Sequence, residues 1–133
     1  MAFQFSTTVR NAALDQIETT IGTAPTLEIR SGTVPANCAA ADSGTVLATI
    51  TLPSDWANAA SGGSKTLLGT WQDSSADATG TAGHFRIKQG ATCHIQGTVT
   101  ATGGGGDMTL DNTSLASGQQ FTVTAFTLNA GGA

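Results

Sequence analysis

Tyrosine is absent from this 133-residue chain, and charge is scarce: Lys, Arg, Asp and Glu together make up 11 %, against about 25 % in an average globular domain. The basic residues number five, Arg10, Arg30, Lys65, Arg86 and Lys88, and no two are adjacent. With a net charge of −4 and no basic run, the chain offers nothing that would track a phosphate backbone, so no nucleic-acid partner is expected. No apolar run approaches the ~20 residues of a membrane-spanning helix, and no membrane partner is expected. The opening MAFQFSTTVRN lacks the basic segment and apolar run of a secretory leader. Cysteine occurs twice, at Cys38 and Cys93, which allows one disulfide at most. Without a leader an oxidising compartment is not indicated, and free thiols are the expectation.

What the chain does have is glycine, 17 residues of it, with abundant threonine, serine and alanine. That is neither the charged, apolar-poor composition of a disordered chain nor that of a typical cytosolic enzyme. It suits a β protein whose outer faces are dressed with hydroxyls. The length is that of one domain, large enough to bury roughly two thirds of its extended-chain surface without staples.

Apolar spacing predicts one helix, over residues 6–21. Leu14, Ile17 and Ile21 recur at three and four, Ser6, Thr7 and Thr8 offer capping oxygens, and Gly22 and Pro25 close the segment. Beyond Pro25 the period changes to two. Strands are expected over TLEIRS (26–31), TVLATITLP (45–53), TLLGTWQ (66–72), two arms within residues 80–100, MTLDN (108–112) and FTVTAFTL (121–128), with turn-forming residues between them. The expectation is a mainly β fold: an antiparallel β-sandwich or jelly-roll-like domain of about seven strands with one N-terminal helix. Residues 1–25 would form an arm and helix, and 26–133 the β body.

Chemistry, if present, would sit in GTAGHFRIKQGATCHIQGTVT (80–100), which holds His84, Cys93 and His94. Folding it as a hairpin about Gly90 with both apolar faces aligned pairs Ile87 with Ile95 and Phe85 with Gly97. Lys88 then opposes His94, His84 opposes Thr98, and Cys93 turns to the core side. The imidazoles would stand about 13 Å apart at ~3.4 Å per residue, too far for one ion. The remaining candidates are weaker. SGGSKT (61–66) lacks the glycines and the strand–loop–helix setting of a phosphate loop. Asp73 and Asp77 lie in a loop without a calcium-hand pattern and suit turn capping. There is no G-x-S-x-G elbow, and no favoured carboxylate pair. No enzyme, metal or cofactor is expected. Trp71 reads as core, and Trp56, in the loop 54–65, as a plug or an anchor.

The ordered set RNAALDQIETTIG (10–22), LEIRSG (27–32), PANCAAADSGTVLATITLPSDW (35–56), GTAGHFRI (80–87), GDMTLDN (106–112) and FTVTAFTL (121–128) resembles the small β-rich structural proteins of tailed bacteriophages and prophages. The resemblance covers nearly the whole chain and is one of overall pattern. It implies a non-enzymatic virion protein, assembled in the host cytoplasm, and within that class a head decoration or cement protein. Its partner would be the major capsid protein, and its copies would cluster or oligomerise. On that reading Phe3 and Phe5 are the anchors, and Leu14, Ile17 and Ile21 of the helix and Trp56 are further contact residues. The alternative within the resemblance is a tail, neck or fibre component; a different class, suggested by Trp56 as a platform, is a glycan-binding module on the virion surface.

Overall fold

The computed structural model describes residues 3–130. Helix α1 (Thr7–Ile21) starts where the Ser6 side chain accepts the Val9 amide at 3.2 Å. It stops where Gly22, at φ 92°, donates its N–H to the Glu18 carbonyl at 2.9 Å. Both ends are thus satisfied locally, as capping requires. Leu14 and Ile21 are buried, and Ile17 packs partly against the same core.

Nine strands follow among the described residues: β1 (Thr26–Ser31), β2 (Val46–Thr51), β3 (Ser64–Thr66), β4 (Gln72–Asp73), β5 (Gly80–Gln89), β6 (Thr92–Ala101), β7 (Met108–Leu110), β8 (Ser114–Leu115) and β9 (Phe121–Asn129). They form one sheet in the order β2-β1-β5-β6-β7-β9-β3, with β4 also on β9 and β8 also on β5. The sheet curls on itself. The carbonyl of Leu47, on the free edge of β2, accepts the amides of Asp77 (2.7 Å) and Ala78 (3.3 Å) just beyond β4. This contact draws the two ends of the sheet together and blunts an otherwise open edge. The mainly β body with one N-terminal helix is the expected one.

Alternation decides what fills the curl. Leu27 and Ile29 of β1, Phe85 and Ile87 of β5, Val99 of β6, Met108 and Leu110 of β7 and Phe121, Val123 and Phe126 of β9 all point inward. Trp71 lies between Trp56 and Phe126, with ring centroids at 6.2 and 5.5 Å, and Phe85 meets Phe126 edge-on at 5.5 Å. The expected strand over 66–72 does not form as one piece. Gly69 sits at φ 79° and breaks it. β3 and β4 pair with β9 on either side of the break, and Trp71 turns inward between them.

Among the described residues all strand pairings but one are antiparallel. β7 returns parallel to β6, Val99 opposite Met108, after only the connection 102–107. So short a return is sterically costly for most residues. The glycine run makes it feasible: Gly103 and Gly105 have φ of 85° and 82°, and a Cβ on Gly104 or Gly106 would lie within 3 Å of the Thr100 side chain. Asp107 then ties the return down, its Oδ2 accepting Thr98 N–H (3.0 Å) and Oγ1–H (3.1 Å).

Candidate functional site

The central hairpin has the expected register over Phe85–Gly97, Ile87–Ile95, Arg86–Gln96 and His84–Thr98. It then slips. A bulge between Ile87 and Lys88 sets Lys88 opposite Cys93, not His94. One residue of slip moves a side chain to the other face of a sheet. Cys93 therefore does not face the core. It lies on the outer face and is joined to Cys38 in a disulfide with Cα atoms 5.3 Å apart, well within the usual range. The expectation of free thiols is corrected accordingly.

The two histidines are separated by the same slip. His84 is buried on the outer face of β5, with Nδ1 3.1 Å from the Gly32 carbonyl. Donation to that carbonyl puts the proton on Nδ1. His94 instead leans toward α1, where it lines a shallow 230 Å³ groove with Ala13, Gln16, Ile17, Thr20 and Ile21. Among the described residues no three His, Cys, Asp or Glu side chains converge as ligands for an ion.

The outer face that carries His84 is a charge cluster that the sequence did not reveal. Residues 32–45 form no helix or strand and lie across β1, β5 and β6 as a strap. Its neck is closed by Ser31 N–H donating to the Thr45 carbonyl (3.1 Å) and Thr45 N–H donating to Ser31 Oγ (3.0 Å). Beneath it three of the five basic residues meet: Arg30, Arg86 and Lys88, with 7 %, 2 % and 7 % of their surface exposed. Asp42 of the strap serves all three. Its Oδ1 lies 2.8 Å from Arg86 Nη1, and its Oδ2 lies 2.7 Å from Lys88 Nζ and 3.2 Å from Arg30 Nη2. Glu28 takes Arg30 Nη2 at 2.9 Å and Lys88 Nζ at 3.1 Å. Bonds from sheet to strap backbone complete the contact: Gln96 Nε2 to Pro35 O (2.7 Å), Arg86 Nη2 to Asn37 O (3.1 Å) and Arg30 Nη1 to Ser43 O (3.2 Å). The hydrogen bond from Lys88, with the neighbouring positive charges, holds the Asp42 carboxyl below its usual 3.8 although partial burial opposes this.

A second buried cation fastens the helix. Lys65 of β3 places Nζ 2.8 Å from both Asp15 and Glu18 of α1, and Asp15 also accepts the Ala60 amide at 2.9 Å. Burial acts to lower the Lys65 pKa. The bonds to the two carboxylates outweigh it and leave it above 10.5.

The residues expected at an interface divide into two groups. Phe3 and Phe5 stand 88 % and 52 % exposed, and with Val9 they are the exposed large hydrophobics of the described chain. Phe5 and Val9 flank a small apolar groove of 180 Å³ with Arg10, Ala13 and Ala130. Leu14, Ile21 and Trp56 are, by contrast, inside the fold, and Ile17 is packed on it. Trp56 has no exposed surface, and its indole N–H donates to the Gly22 carbonyl at 3.0 Å. Side chains committed to their own core cannot also anchor a neighbour, and Trp56 cannot stack on a sugar. The helix periodicity that suggested contact residues was the signature of this intramolecular packing.

Comparison with family models, with curated proteins and with solved structures finds no match to this chain.

Proposed function

We propose that this chain is a non-enzymatic structural protein of a phage virion, a decoration or cement subunit that binds the outer surface of the head and bridges capsid subunits. The observation that carries the reading is the concentration of exposed large hydrophobics in one short segment, Phe3, Phe5 and Val9, ahead of a β body whose other large apolar side chains, among the described residues, are buried or only partly exposed. Single exposed apolar residues are ordinary, whereas a cluster rimmed by polar surface suits a binding patch. Two phenylalanines entering a partner's surface contribute about 1.5–3 kcal/mol each. That is modest for one contact and large when repeated over a shell. The overall sequence pattern supports the class of partner, and the scarcity of charge lowers the desolvation cost of seating the body on another protein.

The test is stoichiometry and attachment together. In purified particles, gel densitometry is expected to give a copy number comparable with that of the major capsid protein. Phe3→Ser/Phe5→Ser protein is expected to keep the wild-type circular dichroism and to fail to sediment with capsids. A few copies per particle would move the assignment to tail, neck or fibre. Undiminished attachment of the double variant would refute the role of the arm.

A further inference from the structure

Under the strap, three cations share two carboxylates, Glu28 and Asp42. Two buried nitrogens on the same face, Arg86 Nε and His84 Nε2, have no hydrogen-bond partner among the described residues. Buried donors are rarely left in that state: the unpaired Arg86 Nε–H, in a cluster of three cations and two carboxylates, calls for a further acceptor such as an oxyanion, whereas His84 Nε2, with its proton on Nδ1, would take a donor. The one group that touches all three cations is unusual in its origin. Asp42 comes from irregular backbone, not from the sheet, and its side chain is 38 % exposed although its partners are nearly covered. Its two oxygens divide among two guanidinium groups and one ammonium, the contact set a phosphate accepts.

Glycines bound the strap where it leaves and rejoins the sheet. It runs between Gly32 and Gly44, at φ 83° and 69°, a conformation that favours glycine. At the Gly44 end a Cβ would collide with the Ser31 backbone. Its far end is held covalently at one point, Cys38 to Cys93.

We propose that the Arg30–Arg86–Lys88 face is a masked binding site for a phosphate-type oxyanion, that Asp42 occupies it in place of the ligand, and that the Cys38–Cys93 disulfide latches the strap over it. Opening needs a thiol reductant. A dithiol delivers two electrons and two protons, the S–S bond breaks, both cysteines leave as thiols, and the reductant closes to its own disulfide. The freed strap can then lift both Asp42 and the Asn37 carbonyl away, which opens Arg86 Nη1 and the Nε–Nη2 edge, and a tetrahedral anion, with more oxygens than a carboxylate, can bridge the cations.

The experiment titrates inorganic phosphate calorimetrically, at constant ionic strength with chloride as the control. The proteins are the oxidised chain, the chain reduced with dithiothreitol, Cys38→Ser/Cys93→Ser, and the double variant carrying Arg86→Gln. Phosphate affinity is expected to rise about tenfold or more on reduction, as it does when a competent state becomes populated. The serine double variant should match the reduced chain, and Arg86→Gln should abolish the gain. Amide exchange of residues 33–43 should quicken on reduction while β5 and β6 stay protected. Equal affinity before and after reduction, in chains that keep their circular dichroism, overturns the proposal. Should reduction unfold the chain, the latch is refuted and the oxidised Asp42→Asn variant decides the site: saturable phosphate binding there upholds it, and none removes it.

Discussion

Reducing the Cys38–Cys93 bridge should cost this protein a large part of its stability. The sulfurs close a loop with a sequence separation of 55. In the chain-entropy treatment, freeing a loop of that length returns about 4 kcal/mol of conformational freedom to the unfolded state at 25 °C. For a domain of this size that corresponds to a fall of about 10–15 °C in Tm. The assay is equilibrium urea unfolding of the oxidised chain, the reduced chain and Cys38→Ser/Cys93→Ser, followed by tryptophan fluorescence. Trp56 and Trp71 are both fully buried, so their emission reports the core directly. If the effect lies in the unfolded state, the reduced chain and the serine variant agree within about 0.5 kcal/mol, since removing an exposed-side sulfur disturbs little packing. The slope m should rise in both, because an uncrosslinked chain exposes more surface on unfolding. A difference below about 1 kcal/mol would refute the reasoning. So would alkylation of both cysteines in denatured, unreduced protein.

Gly97→Ala should destabilise by about 1–3 kcal/mol, because its Cβ would lie 2.9 Å from the Phe85 ring and 2.7 Å from Asp107 Oδ2; an unchanged urea midpoint would show that the ring can yield. Lys65→Met should lower stability by about 2 kcal/mol through loss of two charge-assisted hydrogen bonds. It should also change the pH profile. Because the folded Lys65 pKa is raised above 10.5, its contribution is complete below that pH and disappears as pH rises through the folded value, so the variant should lack the alkaline limb of the wild-type stability curve. Asp15 and Asp42 have folded values below 3.8, each chiefly through a lysine hydrogen bond, from Lys65 and Lys88 respectively. Their contribution is complete above that pH and is lost as pH falls through the folded values; Asp42→Asn should flatten the acid limb.

Much of the architecture was legible because it rests on local rules. The helix bounds followed from Ser6, Gly22 and the spacing of Leu14, Ile17 and Ile21, and β1 coincides with TLEIRS. The hairpin register followed from aligning two apolar faces, since Phe85 and Ile87 leave one solution for Gly97 and Ile95. The exposure of Phe3 and Phe5 was foreseeable too, lying ahead of the first cap with no periodic partner.

Local rules failed where a position depended on something distant in the chain. The bulge at Lys88 cannot be read from alternation, and it alone decides that Cys93 faces the strap and meets Cys38. Trp71 reads as core and is core, but Trp56 stays open between plug and anchor until the two halves of the chain close over it. The basic residues look scattered along 133 positions, yet β1 and β5 are neighbours and put Arg30, Arg86 and Lys88 on one face. A sequence fixes periodicity, caps and turn preferences because each is settled within a few residues. Which face a charge shares, and which sulfur lies beside which, is settled only by strand order and register, where contacts far apart in the chain are made together.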